Sequence, residues 1–425
     1  MTLQGGGPDR ARRSPSLLII GRLGASALAL ISAPIVARAI GPEGRGETAA
    51  ALALYLIVPV VLGLGLPLEV RRQAATSDGH AVVRTAKTLV ALSSLLSAAI
   101  AVLTYFTIFS GFSADGRLVA SIGIALAPLS ASWAIDVSVL VAHRRYGGVL
   151  LMQLLQPAVY VGLIVTVWLL DMARVSTVLA ASLVGTVATF SAGLMLVRVP
   201  LVGKRVDTKS LMRKSLAFSG SAIAEAASSR ADQILALPLI GAYQAGLYSV
   251  AATIGAIPLA IGQALGASYF APIAQAESQN RTRLQGEAVR AALAAAVMIT
   301  PLIALAAWLT IPWVFGEAFR DSVPVTMISL IGSACLLAAY VASMALAADG
   351  RGIRMTFAQV GSLVCGISAL LILGPILGAL GAAIASTIGY LILLSILLFS
   401  LGLPTRALTP RSQDFLASIK RLKRD

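Results

Sequence analysis

Charge, histidine and cysteine are scarce in this chain. Of its 425 residues, 12% are Asp, Glu, Lys or Arg, and there are two histidines and two cysteines. Cys335 and Cys365 fall in apolar segments without the partners that a disulfide or a metal site requires, and they read as small packing residues. His80 and His143 stand apart with no spaced carboxylates, so no metal site and no cofactor is expected. Polar surface is also short. At 58% hydrophobic residues and a mean hydropathy of +0.88, the chain cannot coat a soluble core of this size, which places it in a membrane.

What is present is a succession of apolar runs of roughly 20 residues, the length that crosses about 30 Å of hydrocarbon. About twelve recur, with cores near residues 17–40, 48–70, 88–110, 118–142, 149–170, 176–197, 216–240, 246–273, 289–312, 324–347, 355–373 and 377–401. The first follows a tail carrying Arg10, Arg12 and Arg13 and ends in no convincing cleavage site, so it reads as a retained span. The expectation is an all-α integral membrane protein.

Lys and Arg collect in cytoplasmic loops. With the N-terminus inside, the tail, the alternate loops (71–87, 144–145, 198–214, 281–290, 351–354) and the C-terminal tail hold 26 of the 33 basic residues. The opposite side holds Arg38, Arg45, Arg117, Arg174 and Arg320, and Arg22 and Arg230 fall within spans. Both termini are therefore expected in the cytoplasm. The net charge of +15 is accounted for by this topology, with no soluble domain to read nucleic acid.

The basic stretch 198–215 divides the spans six and six. It predicts a cytoplasmic tail at 1–16, a six-helix lobe at 17–197, a basic linker at 198–215, a second six-helix lobe at 216–401 and a basic tail at 402–425. A faint self-similarity at an offset of 200 supports two like-oriented halves: Ile40-Gly41 with Gly46 after span one, and Ile240-Gly241 with Gly246 after span seven. Prolines interrupt many spans, among them Pro34, Pro59, Pro128, Pro157, Pro258, Pro301 and Pro375, and each invites a kink. Gly381, Ala385 and Gly389 are spaced for close helix approach.

Span seven carries the chemistry. Glu225, Arg230 and Asp232 lie inside small, apolar sequence, and an ionisable group in hydrocarbon requires a partner or a wet cavity. Glu225 and Asp232, seven residues apart, fall within about 20° on a helix, and Ser221, Ser228 and Ser229 extend their stripe. Arg230 points away, roughly 21 Å from the inner end. The functional reading is a wet cavity in which Arg230 holds an anion while Glu225 or Asp232 takes up a cation or proton. The structural alternative is a buried salt bridge that locks the bundle.

Five further positions carry two readings each. Arg22 on span one either faces the same pathway as Arg230 or snorkels to the inner interface. Asp136 on span four is either a coupling site or the partner of nearby Arg144. Gln153, Gln156 and Tyr160 on span five form a stripe suited to sugar hydroxyls or to bonding between helices.

Ala37-Arg38-Ala39-Ile40-Gly41-Pro42-Glu43-Gly44-Arg45-Gly46, Arg230-Ala231-Asp232-Gln233 with Gly246-Leu247-Tyr248, Phe315-Gly316-Glu317-Ala318-Phe319 and Gly378-Ala379-Leu380-Gly381-Ala382-Ala383-Ile384-Ala385 resemble, in order and spacing, stretches of the Wzx-type polysaccharide repeat-unit flippases. Those belong to the multidrug/oligosaccharidyl-lipid/polysaccharide flippase superfamily. The resemblance implies a MATE-like fold with two six-helix lobes around a central cavity. It also implies alternating access, and a polyprenyl-diphosphate-linked oligosaccharide moved from the cytoplasmic to the outer leaflet for polysaccharide biosynthesis. Cavity arginines for the diphosphate, the role expected of Arg22 and Arg230, follow from the same resemblance, as do a bacterial cytoplasmic (inner) membrane, contacts with membrane lipids and possible glycan-assembly partners. The nearest alternative is a cation-coupled multidrug exporter of the related extrusion family. A glycan-polymerising enzyme needs a sizeable outer loop, and every outer loop here is short.

Overall fold

The computed structural model describes residues 16–74, 79–200 and 202–403. The basic residues at 10–13 and 406–424 lie outside them, as do the side chains of Ser221 and Glu225. Among the described residues the regular structure is helical, without a strand. The helices are α1 (Ser16–Gly63), α2 (Leu66–Ala74), α3 (Gly79–Leu92), α4 (Ser94–Phe106), α5 (Ala114–Ala125), α6 (Ala127–Ala142), α7 (Tyr146–Leu169), α8 (Val175–Val197), α9 (Thr208–Gln275), α10 (Ser278–Phe315), α11 (Ser322–Ala348), α12 (Gly352–Leu377) and α13 (Ala379–Leu401). This is the all-α membrane architecture expected, since in hydrocarbon only helices and closed barrels satisfy their backbone internally.

Nine helical segments among the described residues are long and apolar enough to span a bilayer, or ten if α5 and α6, bent by 41° at their junction, form one broken span. Pro128 at the start of α6 explains that bend, because its ring removes a donor at the break. Two segments, Ile20–Gly63 and Ala222–Gln275, have 44 and 54 residues, and at about 1.5 Å per residue each is twice the thickness of the hydrocarbon. Each passes through one glycine of non-helical backbone, Gly41 (φ 69°, ψ −177°) or Gly241 (φ 80°, ψ 164°). Counting each as two spans, and the α5–α6 pair as one, gives the expected twelve among the described residues. These two breaks thus lie at glycines, in a φ/ψ region that glycine alone adopts readily, whereas Pro157, Pro258, Pro301 and Pro375 are carried inside continuous helices.

By their contacts the described residues divide into two compact units: residues 16–40 with 50–226, and residues 41–49 with 227–403. The division falls inside α9, beyond the basic stretch 198–215, and the nine residues after the Gly41 kink belong with the second unit.

In the first unit, Leu66, Val83, Ile135, Leu140 and Met152 build a buried core. The basic stretch is fastened to it. Arg84 on α3, 8% exposed, donates from Nε to the Pro200 carbonyl at 2.8 Å and from Nη1 to the Lys204 carbonyl. Next to it, Thr85 Oγ1 accepts from the Val206 amide at 3.1 Å. Arg84 and Lys87, expected in a loop at 71–87, therefore stand on a helix whose first half binds the basic stretch. On α2, Glu69 is buried and accepts hydrogen bonds from Arg72 Nε at 2.8 Å and Nη2 at 2.6 Å. The Arg72 hydrogen bonds hold the Glu69 carboxyl below the usual carboxylate range, against the effect of burial.

In the second unit, alanine dominates the core (Ala288, Ala292, Ala338, Ala342) with Leu265, Leu337 and Leu397, so backbones approach closely. The two glycine repeats meet here as a reciprocal pair. A Cβ at Gly46 would enter the Ala242 carbonyl oxygen, and one at Gly246 would enter the Pro42 carbonyl oxygen. Positions 42 and 46 and positions 242 and 246 thus make the same contact on each other, and the offset of 200 is a structural repeat. Arg45 supports the crossing by donating to Thr253 Oγ1 at 3.2 Å. The expected small-residue stripe packs α13 on α12: a Cβ at Gly381 would enter the Leu373 carbonyl oxygen, and Gly389 faces Gly366. Gln244, just past the second kink, accepts the Ala379 amide at 3.0 Å and so caps the start of α13.

Candidate functional site

Asp232 precedes the Gly241 kink by two and a half turns, and Tyr248 follows it by two. The kink folds α9 back, and α13 brings Ser386 to the same point. Tyr248 Oη donates to Asp232 Oδ2, Ser386 Oγ lies 3.3 Å from the same oxygen, and the two hydroxyls are 2.7 Å from each other. Asp232 Oδ1 accepts from the Gln233 amide at 2.8 Å. Tyr390, one turn beyond Ser386 on α13, lies within the field of both Asp232 and Arg230. The Asp232 carboxyl group, in a poorly hydrated site, is thus engaged by donors from three helical segments. The oxygens of Asp232, Tyr248 and Ser386 form a compact donor set of the kind that holds a proton or a hard cation.

Arg230 lies on another face of the same helix. It is half-buried, and its described partner is neutral: Nη1 donates to Gln233 Oε1 at 3.3 Å. Its positive charge is therefore not neutralised through this bond. The side chain of Glu225, expected on the Asp232 stripe, lies outside the described residues.

The remaining expected residues are in the first unit. Arg22 is exposed on α1. Beside it, Gly21 leaves the space that Gln153 Oε1 of α7 fills. Gln156 Nε2 lies 3.4 Å from Thr186 Oγ1 of α8, with its own carbonyl against Gly185, and Tyr160 packs on the cluster of Val36, Ile164, Val178 and Ala181. Gln153, Gln156 and Tyr160 are thus packed against neighbouring helices, with an interhelix hydrogen bond at Gln156 and the Gln153 Oε1 atom buried without a hydrogen-bond partner among the described residues.

Asp136 is fully buried on α6, and its partner is Lys87 of α3 at 2.7 Å, not Arg144. Arg144 lies beyond the helix end in a left-handed turn (φ 54°) and is exposed. Gly193 and Met152 close over the carboxylate: a Cβ at Gly193 would lie 2.7 Å from Asp136 Oδ2 and 3.0 Å from Met152 Cε.

Sequence reasoning missed Tyr248, Ser386 and Tyr390. The signal was present, since Ser386 and Tyr390 are one turn apart in a helix without charged residues, but nothing in the sequence pairs that face with Asp232.

The fold is that of known transporters. Over 95% of this chain and 91% of the other, it is similar to a lipid II flippase MurJ in an inward closed conformation (TM-score 0.75, 15% identity). It is also similar to an inward-facing multidrug resistance MATE family transporter of the MOP superfamily (TM-score 0.64, 15% identity, covering 96% and 98%). A MOP superfamily transporter from Pyrococcus furiosus, described as having a binding pocket of reverse polarity, superposes with a TM-score of 0.56 at 15% identity, covering 97% and 95%. Comparison with curated proteins gives no match. A family model described as "Polysaccharide biosynthesis protein" matches residues 12–272, more than half of the chain. With its multi-pass helical architecture and its charged intramembrane helix, the chain belongs to this polysaccharide biosynthesis protein family.

Proposed function

We propose that the protein is a flippase that carries a polyprenyl-diphosphate-linked oligosaccharide from the cytoplasmic to the outer leaflet by alternating access. The observation that carries this reading is Arg230, a half-buried cation deep in a span that hydrogen-bonds the neutral amide of Gln233 and lies in the field of Asp232 without a direct ion pair among the described residues. A guanidinium in this state suits a diphosphate, which it can bind through two parallel hydrogen bonds. Arg22 is the second anchor for the same headgroup. The family match and the likeness to a lipid II flippase support the substrate class.

Asp232, with Tyr248 and Ser386, is the coupling site that exchanges a proton or cation as the transporter changes state. Asp136 has a weaker claim, since Lys87 already neutralises it. On this reading the protein resides in a bacterial cytoplasmic membrane with both termini inside, where the basic loops meet anionic lipid.

A cation-coupled exporter of small molecules is the second reading. It is favoured by the Asp232 donor set and by the likeness to MATE transporters. Reconstitution into liposomes with a fluorescent polyprenyl-diphosphate oligosaccharide separates the two. Protein-dependent leaflet exchange that Arg230→Gln abolishes is the expected result. No exchange, together with proton- or sodium-driven efflux of an organic cation, would overturn the flippase reading.

A further inference from the structure

The chain's two histidines, far apart in sequence, line one pocket. It has a volume of about 350 Å³ and lies at the end of the first unit that carries the basic stretch. Its walls include Gly79, His80 and Val83 of α3, His143 and Arg145 between α6 and α7, and Val199 of the basic stretch itself. Such a volume is at the small end of the range for ligand pockets.

The ionisable side chains on these walls are all basic. Arg145 is exposed, and its Nη1 donates to the Leu196 carbonyl at the end of α8 at 3.0 Å, while Nε and Nη2 have no protein acceptor among the described residues. His143 Nδ1 lies 3.0 Å from the Val139 carbonyl. A carbonyl can only accept, so Nδ1 carries the hydrogen and Nε2 is left for a ligand. His80 is exposed in the first turn of α3, where the helix adds the positive end of its dipole.

Negative groups that could offset this charge are used elsewhere. Among the described residues no carboxylate lines the pocket, and Asp78 lies outside them. Nearby, Glu69 is held by Arg72, Asp136 by Lys87, and Asp207 by the Lys209 and Ser210 amides. The carbonyl ends of α6 and α8 are capped as well: Val139 accepts from His143, Leu140 from the Arg145 amide and Leu196 from the Arg145 guanidinium.

We infer that this pocket binds a phosphate monoester. The phosphoryl oxygens lie on Arg145 Nε and Nη2 and at the rings of His80 and His143, and the organic part rests against Val83, Val139 and Val199. A guanidinium edge offers two parallel donors to two phosphoryl oxygens, and the start of a helix favours the same group. A phosphate monoester ionises for the second time near pH 6, in the range where imidazole does, so ligand and pocket can share a proton; a carboxylate has one charge and no proton to share. The apolar walls favour an ester over the bare inorganic ion. The site is in the first unit and is independent of the transport reading given to Arg230 and Asp232.

Isothermal titration calorimetry of the full chain in detergent tests the assignment. Glycerol 3-phosphate is the soluble probe, dioctanoyl phosphatidic acid carries the same group on a lipid, and glycerate replaces the phosphate by a carboxylate. Saturable binding of a phosphate ester, about tenfold or more tighter than of glycerate, is expected. Binding of both esters assigns a soluble ligand, and binding of phosphatidic acid alone assigns a lipid headgroup. Arg145→Gln should weaken binding about tenfold, the loss of one charge-assisted pair. His80→Glu places a carboxylate in the pocket at an exposed first-turn position where an acid suits the helix, so it should abolish binding without lowering the melting temperature. Arg205→Glu is a larger change of charge on an exposed residue that does not line the pocket, and should alter binding less than about twofold. No binding of either ester, equal binding of glycerate, undiminished binding by both Arg145→Gln and His80→Glu, or an equal loss in Arg205→Glu would each overturn the assignment.

Discussion

Asp232 shows how a buried carboxyl group is satisfied in hydrocarbon: its oxygens are engaged by Tyr248, Ser386 and the Gln233 amide. Tyr248→Phe removes one charge-assisted bond and should destabilise the protein by about 1.5–3 kcal/mol, read as a lower midpoint of thermal unfolding in detergent. Asp232→Asn keeps the hydroxyl contacts and loses the charge. It should preserve that midpoint within about 1 kcal/mol while slowing transport at least tenfold, and normal transport by a stable mutant would remove Asp232 from the coupling role. Lys87 and Asp136 behave differently, because each is the other's ion-pair partner and Asp136 is fully buried. Lys87→Met should cost about 3–5 kcal/mol by leaving a bare buried carboxylate, and adding Asp136→Leu should recover most of it. Glu69 gives a pH signature. Its folded carboxyl titrates below the unfolded value of about 4.3, so its contribution is present above that value and is lost as the pH falls through the lower folded one. Thermal melts below pH 4 should show an acid slope that Glu69→Gln reduces.

At the level of elements, the crossing of Gly46 and Gly246 fixes how α1 and α9 meet. Either residue replaced by alanine drives a methyl group into a backbone carbonyl, and neither backbone can yield without moving its helix. Gly46→Ala and Gly246→Ala should each cost more than about 2 kcal/mol, visible as loss of folded protein by fluorescence-detected size exclusion. Gly41→Ala meets no atom and should cost roughly 1–3 kcal/mol from backbone strain alone. This part of the fold was legible beforehand, because a period of 200 in Ile-Gly and Gly leaves a mark in sequence. The spans were legible for the same reason, hydropathy being a local property. The first half of α3 was not: Arg84 and Lys87 give it the polarity of a loop, and the Pro200 and Lys204 carbonyls and Asp136 explain their place on a helix. Tyr248 and Ser386 were hidden because their partner is 16 residues away in one case and 154 in the other, a tertiary fact that no local pattern records.

For the molecule as a whole, the distribution of basic residues makes a topological claim. Cysteine introduced at Lys204 in a background lacking Cys335 and Cys365 should react with an impermeant maleimide only in inside-out vesicles. A cysteine at Asp115 should react only in right-side-out ones, and the reverse pattern would invert the proposed orientation. The two units also have a bearing on how the protein is made. Residues 41–49 are synthesised early, yet they pack with the unit that is synthesised late, and Gly46 waits for Ala242 while Pro42 waits for Gly246. Until some two hundred more residues have left the ribosome, the first helix carries a vacant docking notch beside its Gly41 kink. A truncated nascent chain therefore displays an unfinished helix face, a feature that membrane proteases can recognise, and two separately expressed halves should protect one another from degradation only when made together.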